Sequence, residues 1–369
     1  MKGMRTQPHR IHPRRKTIRC ILGYHSFRHH QHISHIGLGV SALNWLKVFQ
    51  HAGIHAEVWP LVDAKELFRR LTQAQTQATA HDEVPISHVV ISAPWIATPD
   101  WLTLVQAFPR IHFAVICHSN VGFLQADPQG MKLYREALDL QTAVHNFTAA
   151  ANSHKFTTWV QYAYGVPVHW LPNLYFLEAH GHEVPRPLWT HGTLRLASFG
   201  AMRLLKNHMT ACAAALELHR RLGVDTEFWV NTGRDEHTNA VLRSMREMTH
   251  DVRGFQFVTN HWESWPAFRK TVRHMHVLLQ ISYTESFNMV TADGVSQGVP
   301  SVVSDAIEWA PANWYADTDN ALDVANRALA LLQDTHAARE GLAALLQHNQ
   351  RGLASWRTFL LHRDAETDA

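Results

Sequence analysis

The sequence predicts an α/β protein of two doubly wound, Rossmann-like domains that face a central cleft. Short apolar runs alternate with helical patterns along most of the chain, as expected for parallel sheets covered by helices on both faces. The length of 369 residues exceeds that of an ordinary single domain. The segment 178–193 lacks periodicity, is rich in His, Pro and Gly, and separates the alternation into two series.

The first series runs from a buried strand to residue 117. Its second element is a helix, because residues 38–52 place apolar side chains three and four positions apart and Gly53 follows as a stop signal. The pattern predicts strands at 17–24, 55–59, 87–92 and 111–117, with a further helix at 63–77.

The second series repeats this alternation after the linker. Its strands are predicted at 193–199, 227–230, 254–258, 276–281 and 301–304, and its helices at 207–222, 236–249, 262–272 and 288–297. The tail 337–362 has a helical pattern and no strand to follow. We therefore expect an N-terminal acceptor-side domain at 1–180, a second domain at 190–336, and C-terminal helices at 337–369 that could pack back across the junction.

The composition excludes several classes of protein. Hydrophobic residues make up 46% and charged residues 18%, which indicates packed cores rather than disorder. No run approaches the about 18 apolar residues of a spanning helix, and the basic start lacks the apolar stretch of a secretory signal. The three cysteines are far apart, which argues against disulfides and thiolate metal sites and favours a reducing, cytoplasmic location.

Positive charge is concentrated near the N-terminus. Nine Lys and Arg precede the first acidic residue, Glu57, whereas residues 189–369 hold 17 Lys and Arg against 20 Asp and Glu. This bias predicts an anionic partner such as nucleic acid, acidic lipid or a phosphorylated glycan. The alternative for residues 1–16 is a disordered basic tail that maintains solubility.

The strongest candidate for chemistry lies in residues 283–305, at the end of one strand and along the next helix. Glu285 is followed eight positions later by Asp293. The helix N-terminus near Asn288 offers unpaired backbone N–H groups and the positive end of a dipole, which suit a diphosphate. A carboxylate two turns later can accept hydrogen bonds from a ribose diol. The alternative is an ordinary helix with a capping acid and a surface acid.

Three other segments follow predicted strands and would meet at the same cleft. Arg203 and Lys206 combine a guanidinium fork with a flexible ammonium group, which can neutralise a leaving diphosphate. Gly37 and Gly39 follow the first strand and permit close approach to the backbone. His118 directly follows the strand that ends at residue 117.

Together these segments resemble retaining glycosyltransferases of family 4, which have the GT-B fold. Matches to the family's E-x7-E signature are Glu285, Ser286, Phe287, Gly298, Pro300, Val302, Val303, Ser304 and Asp305. Two positions depart from it, since Asn288 stands where Gly is usual and Asp293 replaces the second Glu. Weaker matches are Gly37-Leu38-Gly39, His118, Leu171-Pro172-Asn173 and the segment 151–154.

The resemblance assigns roles to these residues. Arg203 and Lys206 would hold the donor diphosphate, and Asp293 would hold the ribose. Glu285 and His118 would bind the transferred sugar, and these two with Arg203 and Lys206 form the expected catalytic set. The remaining residues expected at the donor site are Ser286, Phe287, Asn288, Gly37 and Gly39.

The sequence therefore predicts an enzyme that transfers a sugar from a nucleoside-diphosphate sugar, such as a UDP- or GDP-sugar, to a hydroxyl with retention. No tightly bound cofactor and no metal is expected, although five histidines crowd the first loop: His25, His29, His30, His32 and His35. The acceptor stays open between a hydroxylated base in phage DNA, a lipid or surface glycan reached by peripheral membrane contact, and a small soluble molecule. A non-catalytic nucleotide-binding scaffold is the alternative outside the enzymes.

Overall fold

The computed structural model describes residues 18–26, 36–81, 83–178, 189–232 and 239–361. Within these ranges the chain forms two parallel sheets with helices between their strands, which confirms the predicted fold class. Among the described residues, no helix combines the length and the apolar character needed to cross a membrane.

The N-terminal sheet has six strands. They are β1 (Arg19–His25), β2 (His55–Leu61), β3 (His88–Ser92), β4 (His112–Cys117), β5 (Phe147–Ala151) and β6 (His169–Trp170). The helices between them are α1 (Ile36–His51), α2 (Ala64–His81), α3 (Thr98–Ala107), α4 (Val121–Leu124), α5 (Pro128–Ala143) and α6 (His154–Tyr164). All pairs are parallel, in the order β2-β1-β3-β4-β5-β6.

The C-terminal sheet has five parallel strands. They are β7 (Leu194–Ser198), β8 (Thr226–Thr232), β9 (Phe255–His261), β10 (Val277–Gln280) and β11 (Ser301–Val303). Its helices are α7 (His208–Leu222), α8 (Asn239–Met248), α9 (Trp265–Arg273), α10 (Met289–Ser296) and α11 (Ala321–Gln333). The strand order is β11-β10-β7-β8-β9.

Both faces of the N-terminal sheet are covered, which explains its apolar strands. In β3 all five residues are buried. Val89 and Ile91 join a core that includes residues of α2 and α3, whereas Val90 joins a second core with Trp45 of α1. Successive side chains of a strand point to opposite faces, so a strand buried on both sides is apolar throughout rather than alternating.

The strand order of each sheet reverses beside its first strand. The reversal lies between β1 and β3 in the N-terminal sheet and between β7 and β10 in the C-terminal sheet. Doubly wound sheets bind ligands outside the carboxyl ends of strands at such a reversal. The loops that follow these strands are therefore the first place to look for a site.

A long C-terminal helix, α12 (Ala337–Leu361), contacts both halves. At Gly341 an added Cβ would lie 2.4 Å from the Trp314 ring of the C-terminal half. At Gly352 an added Cβ would lie 2.7 Å from Leu174, directly after the N-terminal sheet. Farther along, Trp356 is fully buried in the core beside α1. Glycine at two positions lets one helix lie close against both halves.

The segment after β6 crosses between the halves without forming a strand. Side-chain amides satisfy its backbone instead: the Tyr175 N–H donates to Asn349 Oδ1 at 3.0 Å, and Asn349 Nδ2 donates to the Tyr175 carbonyl at 2.7 Å. The Phe176 N–H donates to Asn44 Oδ1 at 2.8 Å. Because buried backbone groups need partners, these asparagines on α12 and α1 hold the crossing segment in place.

Element boundaries differ from the sequence prediction in a few places. The predicted helix 63–77 continues to His81, and the predicted helix 262–272 begins only at Trp265, where Pro266 occupies the first turn after Ser264. β5 was not predicted, because its sequence FTAAA has few of the bulky residues typical of strands. The linker residues 179–188 and the start of the predicted helix at 236 lie outside the described residues.

Candidate functional site

Four loops meet at the carboxyl ends of the two sheets. In the C-terminal half they are residues 199–207 after β7 and 281–288 after β10. In the N-terminal half they are residues 118–120 after β4 and 152–153 after β5. The first pair flanks the reversal of the C-terminal sheet, which is where a doubly wound sheet holds a ligand.

The Glu285 carboxylate is the centre of a hydrogen-bonded cluster. Its Oε1 accepts from Lys206 Nζ at 2.5 Å, from Ser282 Oγ at 2.8 Å and from Asn288 Nδ2 at 2.9 Å. The side chains of Lys206 and Glu285 are 23% and 10% exposed, so the ion pair is shielded but reaches solvent. Lys206, expected at the donor diphosphate, and Glu285, expected at the transferred sugar, are thus in direct contact.

Asn288 occupies a backbone conformation that explains one departure from the family signature. Its φ is 62°, in the left-handed region, where Gly is the usual residue and Asn is among the few others tolerated. Its side chain adds contacts that Gly lacks, since Oδ1 caps α10 by accepting from the Thr291 N–H at 2.9 Å and Nδ2 donates to Glu285. Asn288 thus keeps the turn and also anchors the carboxylate.

The loop that carries Lys206 is fixed at its end by a second left-handed asparagine. A short 3-10 turn, Leu204–Lys206, is followed by Asn207 with a φ of 57°. Asn207 Nδ2 donates to the Ile281 carbonyl at 3.2 Å and to the Thr318 carbonyl at 2.7 Å. These bonds tie the loop after β7 to the loop after β10 and thereby hold Lys206 beside Glu285.

His118 is partly buried on the N-terminal side of the cleft. Its Nε2 lies 2.7 Å from Ser92 Oγ and its Nδ1 lies 3.1 Å from Asn152 Nδ2. The Trp45 ring packs against it at 5.6 Å between centroids. Burial lowers the pKa of His118 from 6.5 to about 4, so the imidazole is neutral at physiological pH.

Two asparagines of the N-terminal half reach across the cleft. Asn120 Nδ2 donates to the backbone carbonyl of Glu285. Asn152 Nδ2 donates to Ser286 Oγ at 3.2 Å as well as to His118. The sugar-binding pair expected from the sequence, Glu285 and His118, is therefore connected through Asn152 and the loop after β10.

Two further contacts close the same side of the cleft. A Cβ added at Gly122 would lie 3.1 Å from the Thr284 side chain, so the start of α4 and the loop after β10 are in close contact. The Arg203 guanidinium lies over the Phe123 ring, 5.3 Å from its centroid. The Arg203 side chain thus contacts the N-terminal half, and its role beside the diphosphate stays a prediction.

Asp293 lies in a closed environment. It is 2% exposed, and its Oδ1 accepts from Tyr175 Oη at 2.7 Å and from Trp265 Nε1 at 2.8 Å. Burial raises the pKa of its carboxyl from 3.8 to about 6. These contacts connect α10 to the crossing segment and to α9, and the ribose role that the sequence assigned to Asp293 stays a prediction.

Phe287 and the two N-terminal glycines occupy places other than those the motifs suggested. The Phe287 side chain is 1% exposed and stacks on Trp309 in the core, so only its backbone borders the site. Gly37 and Gly39 were expected in the loop after the first strand, whereas helix α1 already begins at Ile36. Both glycines therefore lie in the first turn of α1 rather than in a loop, and their place at the donor site stays a prediction.

The histidine-rich loop and most of the basic N-terminus fall outside the described residues. His25 is described, and its ring stacks on Trp95 at 4.6 Å. Within the described ranges, no group of three or more His, Cys, Asp or Glu could hold a metal ion. His29, His30, His32 and His35 are not among the described residues.

The described basic residues of the N-terminal segment contact other parts of the chain. Arg19 is 13% exposed in its side chain and forms an ion pair with Glu57 at 2.7 Å. Lys47 lies 5.5 Å from the Phe176 ring centroid. Arg19 is one of the nine early basic residues from which the sequence predicted an anionic partner, and its charge is paired with Glu57 within the chain instead.

Sequence reasoning assigned no role to Ser92, Asn120, Asn152, Ser282 or Asn207, which position the predicted residues. Asn120 follows β4 by three residues and Asn152 follows β5 directly. Polar residues at the carboxyl ends of strands are a usable signal. It was available for Asn120, and it was hidden for Asn152 because β5 itself was not predicted.

The architecture is shared with solved glycosyltransferase structures. A trehalose-6-phosphate synthase, OtsA, superposes with a TM-score of 0.62 at 12% identity, covering 92% of this chain and 98% of that chain. The fold is GT-B. Anabaena HepE in complex with UDP and glucose gives a TM-score of 0.59 at 12% identity, covering 92% of this chain and 100% of that one.

A third GT-B structure is larger than this chain. TarM from S. aureus, in complex with UDP among other ligands, gives a TM-score of 0.53 at 12% identity and 74% coverage of this chain. This chain spans 55% of the TarM chain. No protein-family model and no curated protein matches the sequence. At these identities the likeness establishes the fold alone.

Proposed function

We propose that this GT-B protein is a glycosyltransferase that moves a sugar from a nucleoside-diphosphate sugar to a hydroxyl acceptor. The observation that carries the proposal is the Lys206–Glu285 pair, 2.5 Å apart, at the reversal of the C-terminal sheet. A cation and a carboxylate at this point offer one group for a diphosphate and one for sugar hydroxyls. The HepE and TarM structures named above contain UDP, which supports a nucleotide donor.

Each residue has a chemical task in this proposal. Lys206 and Arg203 neutralise the negative charge that builds on the diphosphate as it leaves. Glu285 accepts hydrogen bonds from the sugar, and neutral His118 borders the sugar on the opposite side. Catalysis then comes from charge stabilisation and from positioning of donor and acceptor. Because cationic side chains supply the charge, the reaction proceeds without a metal ion.

The finer parts of the proposal concern stereochemistry and acceptor. The signature around Glu285 resembles retaining enzymes, so we propose retention at the anomeric carbon. We propose that the acceptor binds on the N-terminal half, opposite the donor. Because the N-terminal segment is basic, we include DNA and lipid acceptors in anionic membranes among the acceptor classes to be tested, together with small soluble sugars.

The test is a product screen. The protein is incubated in EDTA with UDP- and GDP-sugars and with duplex DNA containing a hydroxymethylated base, lipid acceptors in anionic vesicles, or small glycosides. Mass spectrometry should show one acceptor class that gains the mass of one sugar, with the anomeric configuration of the donor retained. Failure of every pair to react, also after Mn²⁺ is added, would contradict the proposal. Activity that requires Mn²⁺ would contradict its metal-independent part.

A non-catalytic nucleotide-binding scaffold is the second candidate. It is favoured by the closed environment of Asp293, whose Oδ1 is occupied by Tyr175 and Trp265. A scaffold would bind a nucleoside diphosphate without cleaving the corresponding sugar donor. Calorimetric binding of UDP or GDP, combined with the absence of donor cleavage, identifies that function.

A further inference from the structure

The polar contacts of His118 belong to a chain of hydrogen bonds in which Asn152 donates to both of its neighbours. The chain runs from Ser286 on the C-terminal side through Asn152 and His118 to Ser92 at the carboxyl end of β3. An amide Nδ2 can only donate. With Asn152 Nδ2 directed at both His118 Nδ1 and Ser286 Oγ, each of its two hydrogens has an acceptor.

The direction of the chain selects one tautomer of His118. Because Nδ1 accepts from Asn152, it carries no hydrogen, and the ring hydrogen of the neutral imidazole lies on Nε2. Nε2–H then donates to Ser92 Oγ across 2.7 Å. The Ser92 hydroxyl hydrogen is left as the donor at the end of the chain, beside the reversal of the N-terminal sheet.

In this orientation only the Nδ2 end of the Asn152 amide is hydrogen-bonded. Asn152 is 2% exposed, and its Oδ1 is buried with no hydrogen-bond partner among the described residues. A buried acceptor without a partner is unfavourable. The orientation is therefore determined by the two acceptors of Nδ2, one in each half of the protein.

We propose that Asn152 is a positioning residue that fixes the tautomer of His118, and that its contact with Ser286 links this tautomer to the approach of the two halves. The effect of Asn152 on catalysis rests on the proposed function, in which His118 borders the transferred sugar. Asn152 touches neither donor nor acceptor in this account. It acts through His118 by keeping the ring hydrogen on Nε2, where it is donated to Ser92 Oγ.

The electrostatic surroundings agree with a neutral ring. Burial lowers the pKa of His118 to about 4. The Cys117 thiol precedes His118 on β4, and burial raises the pKa of that thiol to about 12, so it carries no charge beside the ring. From α1 the ring is packed by Trp45, from β3 by Ser92 and from the loop after β5 by Asn152.

The test uses three variants of the full chain. Asn152→Asp replaces the donor with a carboxylate of the same shape, so that His118 Nδ1 must donate to it. Ser286→Ala removes the contact across the cleft without burying a charge. Asn146→Asp is the matched control: Asn146 is also buried in the N-terminal half, but its Nδ2 donates to the carbonyls of Val105 and Ile111.

The direct measurement is the ¹⁵N chemical shift of the His118 ring in histidine-labelled protein, assigned by loss of the signal in His118→Asn. The wild type and Asn146→Asp should show the Nε2–H tautomer, with a titration midpoint below pH 5. Asn152→Asp should show Nδ1–H and a midpoint raised by at least about one pH unit. Ser286→Ala should show a mixture of tautomers. An unchanged tautomer in both Asn152→Asp and Ser286→Ala would overturn the inference.

This measurement requires no donor, so it separates the inference from the proposed function. If the protein cleaves a nucleotide sugar, Asn152→Asp should lower kcat by about 10–100-fold, the range seen when the partner that orients a functional histidine is lost. The pH profile of kcat should gain an inflection at the raised His118 midpoint. A protein without transferase activity that still shows the tautomer change would contradict the proposed function alone.

Discussion

The left-handed turn at Asn288 sets the geometry of the candidate site at the scale of a single residue. A φ of 62° is costly for most side chains, by roughly 1–2 kcal/mol. Asn offsets this cost with the α10 cap and the bond to Glu285. The family's Gly solves the same backbone problem without these contacts, so the departure from the signature preserves the turn.

Substitutions of Asn288 should distinguish the contribution of backbone strain to stability from that of the side-chain contacts. We expect Asn288→Ala to lower the free energy of unfolding by about 2–3 kcal/mol, because it adds strain and removes the cap. Asn288→Gly should lower it by about 1 kcal/mol or less, since Gly accepts the φ and is itself a tolerated cap. Denaturant unfolding measures both values. Equal losses in the two variants would show that the left-handed conformation does not matter.

Asp293 makes stability depend on pH. Its pKa is raised from 3.8 to about 6 in the folded protein, so the folded state binds the proton more tightly than the unfolded chain. The resulting stabilisation is complete below about pH 4 and is lost as pH rises through about 6. Burial raises the pKa of the Tyr175 hydroxyl as well, so it stays protonated and donates.

The substitution Asp293→Asn should remove this dependence of stability on pH. Asp293→Asn keeps an oxygen for Tyr175 and Trp265 and carries no charge, so we expect it to stabilise the fold by about 1–3 kcal/mol at pH 7.5 and to be nearly neutral at pH 4.5. The control Asp100→Asn changes an exposed carboxyl and should differ by less than about 1 kcal/mol at either pH. Denaturant unfolding at the two pH values is the measurement. A stability difference for Asp293→Asn that is the same at both pH values would contradict the account.

Individual site residues were predictable only where they belong to a local motif. Glu285 and Lys206 follow strands and lie in recognisable segments, and the structure places them in contact. Asn152 could not be predicted, because its partner Ser286 is 134 positions away and nothing local indicates the contact. The core position of Phe287 depends on Trp309, which no spacing within the motif reveals.

At the scale of elements, helix α12 depends on glycine where it contacts the C-terminal half. A Cβ at Gly341 would lie 2.4 Å from the Trp314 ring, which is itself fully buried. Trp314 cannot move away without disturbing the core around it. The close approach of this helix therefore requires the absence of a side chain at this turn.

Gly341→Ala should lower the free energy of unfolding by about 1–3 kcal/mol through overpacking, although Ala is the better helix former. Gly37→Ala is the matched control, because Gly37 is also helical and a Cβ there would meet none of the described residues within 4 Å. We expect Gly37→Ala to be neutral or stabilising by up to about 1 kcal/mol. Thermal or denaturant unfolding of both proteins decides between these outcomes. A Gly341→Ala protein as stable as the wild type would show that α12 packs less closely than described.

Strands that contain a run of bulky apolar residues were predictable from the sequence, and strands without such a run were not. The sequence VVI in β3 is buried on both faces and was recognised from composition. β5 is built mainly from alanines and is defined by its pairing with β4 rather than by its own side chains. The crossing segment is fixed by asparagines more than 100 residues away, so its conformation had no local signal.

At the scale of the whole molecule, the excess of positive charge in the N-terminal segment is reduced by ion pairing. Arg19 is paired with Glu57, so it offers little charge to an anionic acceptor. Arg14 and Arg15 lie outside the described residues. If the acceptor is duplex DNA, affinity should fall steeply between about 50 and about 200 mM salt. Charge reversal at Arg14 and Arg15 should weaken binding, whereas reversal at Arg19 should have little effect because its charge is paired with Glu57. Undetectable binding at 50 mM salt would remove DNA as an acceptor.

If Lys206 and Glu285 hold the donor between the two halves of the GT-B fold, cleavage of the donor should depend on them. Donor cleavage is therefore the most direct test. The release of nucleoside diphosphate from a panel of UDP- and GDP-sugars is measured for the wild type, Lys206→Ala and the control Lys132→Ala, an exposed lysine of α5. We expect the wild type and Lys132→Ala to cleave at least one donor at the same rate, and Lys206→Ala to be about 10²–10³-fold slower with its fold intact. Cleavage by Lys206→Ala at the wild-type rate, or no cleavage of any donor by the wild type, would contradict the account.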